Sequence, residues 1–155
     1  PDLRDVRRAA LFVGQDGLGL PERDDYLKDD ATSQRLRTAY RAYATRLLQA
    51  AGAPHDAATL DALMALETAL ARGAMTPVER RDPQATANRR TLAALAAEAP
   101  GVDWAAWFGA MGVDAASSAV GEFIVSQPAF LQAVAAQATQ APRAAWQAYL
   151  RVRLL

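Results

Sequence analysis

Four groups of residues have the types from which reactive or binding sites are built. The first is "GLGLPERDDYL", residues 17–27, which follows an apolar run from Ala9 to Val13. Gly17 and Gly19 have the spacing that opens a dinucleotide loop, where glycines let the backbone approach a pyrophosphate at a helix start. The third glycine is missing: position 22 is Glu22, whose charge would oppose the phosphates, and Pro21 removes a backbone N–H donor. No Gly-Lys-Ser/Thr follows, so the lysine phosphate loop is excluded too. The second group is Asp24, Asp25, Asp29 and Asp30. It lacks the one-three-five spacing and terminal glutamate of a calcium loop and reads as a solvated acidic surface balanced by Arg23 and Lys28. The third is His55, the sole histidine, between Pro54 and Asp56 in an interhelix loop; with no cysteine in the chain it leaves little from which to build a zinc site. The fourth is Ser117, Ser118 and Ser126, for which His55 is the one available base. These residues on their own describe no self-contained active site.

The elements that would carry these residues are mainly helical. The 155 residues suffice for one compact domain, and a 52% hydrophobic, alanine-rich composition favours helices packed closely through small side chains. With 17 basic and 17 acidic residues there is no electrostatic footprint for nucleic acid or an anionic membrane. The longest uncharged stretch, residues 123–142, holds four glutamines and an internal Pro128, which is not the pattern of a membrane span. Residues 8–14 read as extended, and Glu22 to Leu27 as one helical turn with Pro21 at its start. Thr32 or Ser33 is positioned to cap a helix running to about Gly52, with Leu36, Tyr40, Tyr43, Leu47 and Leu48 on its buried face. Asp56 caps the next, which carries Leu60, Leu63, Met64, Leu66 and Leu70 and ends near Gly73. Glu67 lies inside that apolar pattern, either as a solvated edge position or as a half-buried carboxylate bonded to Arg80 or Arg81.

Thr76-Pro77 and Asp82-Pro83 each read as a cap and first residue of a short helical piece. Thr91 and Asp103 cap two more, and Trp104, Trp107 and Phe108 are expected to pack inward. Phe123-Ile124-Val125 reads as a short strand, Ser126 as the start of a helix containing Pro128, and Pro142 as the start of a last helix with Trp146, Tyr149, Leu150 and Val152. The expected fold is therefore all-α in the main: an irregular bundle of seven or eight helical pieces with one or two short extended segments. The last helix stops at Leu155 without a cap, which suggests a piece of a longer protein.

The order of these segments resembles the neprilysin family of zinc metalloendopeptidases, which includes the endothelin-converting enzymes. "GLGLPERDDYL" is similar to that family's Gly-Leu-Gly-Leu-Pro segment followed by Arg-Asp-Tyr-Tyr. Gly17, Leu18, Gly19, Leu20, Pro21, Arg23, Asp24 and Tyr26 are kept, and Asp25 replaces the first tyrosine. "ALETALA" around Glu67 resembles the family's Leu-Glu helix. "RRDPQATANRRTLAALA" resembles a further segment through Asp82, Pro83, Asn88, Thr91 and Leu92, with Ala87 where a tyrosine is usual. "VDWAAWF", "IVSQPAFL" and "AWQAYLRVRLL" continue the series in the same order over nearly the whole chain.

The resemblance implies two largely helical domains enclosing a chamber. The larger carries zinc through an H-E-x-x-H helix, which is absent here. Residues 1–155 would be a helical fragment of the smaller cap domain, with the signature residues serving structure. No catalytic or metal-binding residue carries over, because the family's arginine that grips a substrate carboxylate belongs to sequence upstream. Zinc would belong to the parent enzyme, not to this segment. The implied partners are the zinc-bearing domain of the same chain and an oligopeptide substrate, with no nucleic acid or membrane contact, in a periplasmic or secreted setting. The alternative from another class is a stand-alone helical interaction module without enzymatic activity.

Overall fold

The computed structural model describes residues 11–115 and 122–155. Residues 8–10 of the expected extended stretch, with Ser117 and Ser118, lie outside them. The order of elements is β1 (Leu11–Val13), α1 (Arg23–Leu27), α2 (Ala31–Ala50), α3 (Ala57–Gly73), β2 (Asn88–Arg90), α4 (Leu92–Glu98), α5 (Trp104–Ala110), β3 (Phe123–Val125), α6 (Pro128–Gln140) and α7 (Arg143–Leu154). A single 3-10 turn, Glu79–Arg81, sits between α3 and β2. The chain is mainly α, as its composition predicts, with one small sheet among the described residues.

Side-chain caps start several of the helices. Asp30, two residues before Thr32 and three before Ser33, is the cap in place of either, accepting the N–H groups of Thr32 at 2.9 Å and Ser33 at 3.0 Å. Asp56 accepts from Thr59 at 2.7 Å, Thr91 from Ala94 at 3.2 Å and Asp103 from Ala106 at 2.9 Å, all as the sequence predicts. Pro21 does not begin α1; Glu22 is its cap, and Glu22 and Asp25 form a reciprocal capping box. The first proline pair leads into the 3-10 turn, with Thr76 and Glu79 bonding each other's N–H groups. The second starts no helix. Asp82 instead accepts from the Gln84 N–H at 2.8 Å and holds a turn that runs into β2. Ser126 is not the cap of α6 either; that position is Gln127, and Pro128 is the first helical residue.

The sheet has the order β1-β3-β2. β3 is central and completely buried, parallel to β1 with Phe12 opposite Ile124, and antiparallel to β2 with Arg89 opposite Ile124. β2 is an edge strand with charge on it, a composition that discourages further pairing. Arg90 binds Glu98, and Arg89 lies 3.3 Å from Glu122. On one face of the sheet, Phe123 and Val125 pack with Leu95, Trp104 and Phe108. The Phe108 and Phe123 rings stack at 4.4 Å between centroids.

A second core joins α1, α2, α3 and α7 through Tyr26, Tyr40, Leu48, Leu63 and Val152. A third, through Leu66, Leu70, Phe130 and Ala145, bridges α3 to α6 and α7. Three expected core residues are outside these clusters: Tyr43 is 47% exposed, Trp107 45% and Leu150 50%. On α2 the inward row is Ser33, Tyr40, Ala44 and Leu48, so small side chains take the place that Tyr43 was expected to fill.

Candidate functional site

The "GLGLPERDDYL" segment is held by a buried carboxylate. Glu67, on the middle of α3, is 0% exposed and bonds to neither Arg80 nor Arg81, so both sequence expectations for it are corrected. Its oxygens accept the phenol O–H of Tyr26 at 2.5 Å and of Tyr40 at 2.7 Å, and the Gly19 N–H at 3.4 Å. Tyr26 in turn accepts the Leu20 N–H at 2.7 Å. Two adjacent backbone donors of the loop are thus satisfied inside the protein, one directly and one through a phenol. Arg80 is used elsewhere, pairing with Glu22 at 2.6 Å.

The physical chemistry of this cluster is that of an acceptor encircled by donors. Burial pushes the Glu67 carboxyl above its ordinary range; the two phenols, the Gly19 N–H and the Arg153 charge pull it back. Burial, and then the charge of Glu67, push Tyr26 and Tyr40 beyond the usual phenol range, so both keep the protons they donate. Tyr149 is raised for the same two reasons.

The loop is close-fitted from the other side. The Tyr149 hydroxyl donates to the Gly17 carbonyl at 2.9 Å, and Arg153 donates to the Leu18 carbonyl at 3.4 Å. Gly17 has φ +101°, a backbone conformation open to glycine, and a Cβ there would overlap the Tyr149 hydroxyl. At Gly19 a Cβ would overlap the Tyr40 ring. Leu20 is buried and Leu18 is packed against the same core.

The structure brings Gly17 to Pro21, Arg23, Asp24, Tyr26 and Glu67 into one region. The loop, Arg23, Met75 and Arg80 line a cleft of about 270 Å³, whose arginines are already paired to Glu22 and Asp24. Asp82, Pro83, Asn88, Thr91 and Leu92 lie apart from it, along the turn into β2 and the start of α4. Asn88 donates to the Ala85 carbonyl at 2.7 Å, and Leu92 packs against the sheet core. Tyr40, Tyr149 and Arg153 were not singled out by sequence as loop-holding residues. Tyr40 and Tyr149 were placed on buried helix faces, but nothing local marks their hydroxyls as polar anchors. Gln127 was also missed; it is buried, accepting the Met75 N–H at 2.6 Å and donating to Gln15 at 3.2 Å.

The carboxylate at the centre of the cluster is closed to solvent. Glu67 faces inward, and His55 rests against the Ala53 carbonyl at 2.9 Å. Among the described residues no group of three or more His, Cys, Asp or Glu side chains is placed to hold a metal ion. The arrangement fixes a loop's shape.

Comparison with known proteins gives the context. The sequence pattern of peptidase family M13, in its N-terminal region, matches residues 1–155. Mouse (Mus musculus) endothelin-converting enzyme-like 1 is 34% identical over 105 residues, which is 66% of this chain and 14% of that protein. Human (Homo sapiens) endothelin-converting enzyme 1 is 30% identical over 106 residues, again 66% of this chain and 14% of the relative. Among solved structures, the zinc metalloprotease Zmp1 of Mycobacterium tuberculosis in its open state superposes with a TM-score of 0.84 at 32% identity, covering 95% of this chain and 23% of that one. Its inhibitor complex superposes with a TM-score of 0.82 at 31% identity. The chain therefore spans only 14–23% of the length of these relatives. The neprilysin-type resemblance read from the ordered segments is borne out, and the chain belongs to peptidase family M13, corresponding to part of its N-terminal region.

Proposed function

We propose that this chain is a segment of the helical cap of a neprilysin-like zinc metalloendopeptidase, and that it forms part of the wall of a substrate chamber. The chamber would admit oligopeptides and exclude folded proteins. The observation that carries this reading is the family match across all of residues 1–155. We assign zinc and the hydrolytic groups to another part of the parent enzyme, in keeping with the zinc metalloprotease that this chain resembles. Zinc bound there would polarise the scissile carbonyl and activate water.

The contribution of these residues is shape. The clamp on Glu67 fixes the loop at residues 17–20 against α2, α3 and α7, which supports a stiff wall rather than a mobile flap. A stiff wall limits access by size, excludes bulk water and holds a peptide in one orientation. Its partners are then the zinc-bearing domain of the same polypeptide and the peptide. The setting we assign is periplasmic or secreted, as the family resemblance implies.

The test uses the full-length protein with zinc, a graded series of oligopeptides, and a folded protein displaying the same cleavage sequence. Peptides should be cleaved, with the rate falling steeply as substrate size grows, and a chelator should abolish the activity. Cleavage of the folded protein at the rate of the free peptide would overturn the chamber role.

A further inference from the structure

Among the described residues β1 is an outer strand of the sheet, and it contributes to the lining of an apolar groove. Val13 accepts the Ser126 N–H at 3.0 Å, so Val13 turns its peptide groups toward β3. Successive strand residues alternate, so Phe12 turns its own N–H and C=O to the opposite side, where no described strand lies. Alongside runs a groove of about 230 Å³ walled by Phe12, Trp104, Trp107, Phe130, Leu131 and Val134. Gln15 and Gln127 are the polar side chains in its lining, which holds no charged group. Phe12 is 55% exposed, and Met111, one helical turn beyond the exposed Trp107, is 54% exposed. The volume is below the roughly 300 Å³ at which ligand pockets begin, so it suits a side chain better than a separate small molecule.

We infer that this edge and groove seat an extended, apolar segment from the remainder of the same polypeptide. That segment adds a strand along β1 and lodges a large uncharged side chain between Trp107 and α6. The inference rests on the reading of this chain as part of a longer peptidase. Relatives are several times longer than this segment, which covers 14–23% of them, so most of a parent of that length lies outside it. A segment tethered in the same chain reaches the groove at a far higher effective concentration than a free peptide. A strand edge with no described neighbour, flanked by exposed aromatics, is in addition the kind of surface that proteins ordinarily cover.

The experiment places a photoreactive benzoylphenylalanine at Trp107, and in a second variant at Phe12, of the full-length protein. Folding of each is verified by circular dichroism before irradiation and peptide mapping. The expected result is an intrachain adduct to a segment outside residues 1–155, with a yield unchanged by tenfold dilution or by excess oligopeptide. An adduct to a second copy, to the added oligopeptide, or confined to residues 1–155 would overturn the inference, as would no adduct in either folded variant. Failure here with size-limited hydrolysis intact removes this inference alone. Loss of size selectivity with the intrachain adduct present removes the chamber reading alone.

Discussion

Tyr26 makes two bonds through one hydroxyl. Its hydroxyl donates to Glu67 and accepts from the Leu20 N–H. Tyr26→Phe leaves a buried N–H without a partner and strips one donor from a buried carboxylate, which should cost about 1–3 kcal/mol in denaturant unfolding. Tyr43→Phe, at an exposed position on α2, should stay within about 0.5 kcal/mol. Glu67 also sets a pH dependence of unusual sign. Its carboxyl is raised in the folded state, so its contribution to stability is full below the unfolded value of about 4.3 and is lost as pH rises through the higher folded value. The cap acids Asp30, Asp56 and Glu79 are held low by their N–H bonds, so their contribution is lost as pH falls below about 4. Between those limits the slope of stability against pH should flatten in Glu67→Gln, as measured by melting curves from pH 4.5 to 8. The sequence could not reveal this network. It shows an acid in an apolar helix, but the two phenols that satisfy it stand 41 and 27 residues away along the chain.

Glycines on two helices show how packing, more than propensity, decides what an element tolerates. Gly73, at the end of α3, faces α6, where a Cβ would come within 2.7 Å of the Ala129 carbonyl and 2.8 Å of the Ala133 Cβ. Gly73→Ala should force the two helices apart at about 1–3 kcal/mol. Gly109, on α5, has nothing within 4 Å, so Gly109→Ala should stabilise by about 0.5–1 kcal/mol; thermal melts of the pair would check both signs. The helices themselves were legible because Asp56, Thr91 and Asp103 are local signals read one turn ahead. β2 was not, since Asn88, Arg89 and Arg90 have no apolar alternation and become a strand only by pairing with β3. The inward row of α2 was misjudged for a related reason. In an alanine-rich helix a small residue such as Ala44 can take the core position, and the spacing of the large residues then points to the wrong face.

α3 ties the molecule together. It packs against α1, α2, α6 and α7, carries Glu67 at its middle, and contributes to two of the three buried clusters. Its central amides should be the last to exchange with deuterium, whereas those of α5, capped at one end and bearing the exposed Trp107, should exchange early; mass-spectrometric hydrogen exchange resolves the order. The family and helical class were legible because ordered short segments survive along the chain, while the loop's mode of anchorage depends on contacts between distant helices. The parallel pairing of Leu11–Val13 with Phe123–Val125 has a further consequence, for biosynthesis. β1 leaves the ribosome well before β3, its partner among the described strands. At typical elongation rates that is a wait on the order of ten seconds. During it the helices around α3 are free to assemble, while an apolar strand not yet paired with β3 is open to a chaperone or to a neighbouring nascent chain.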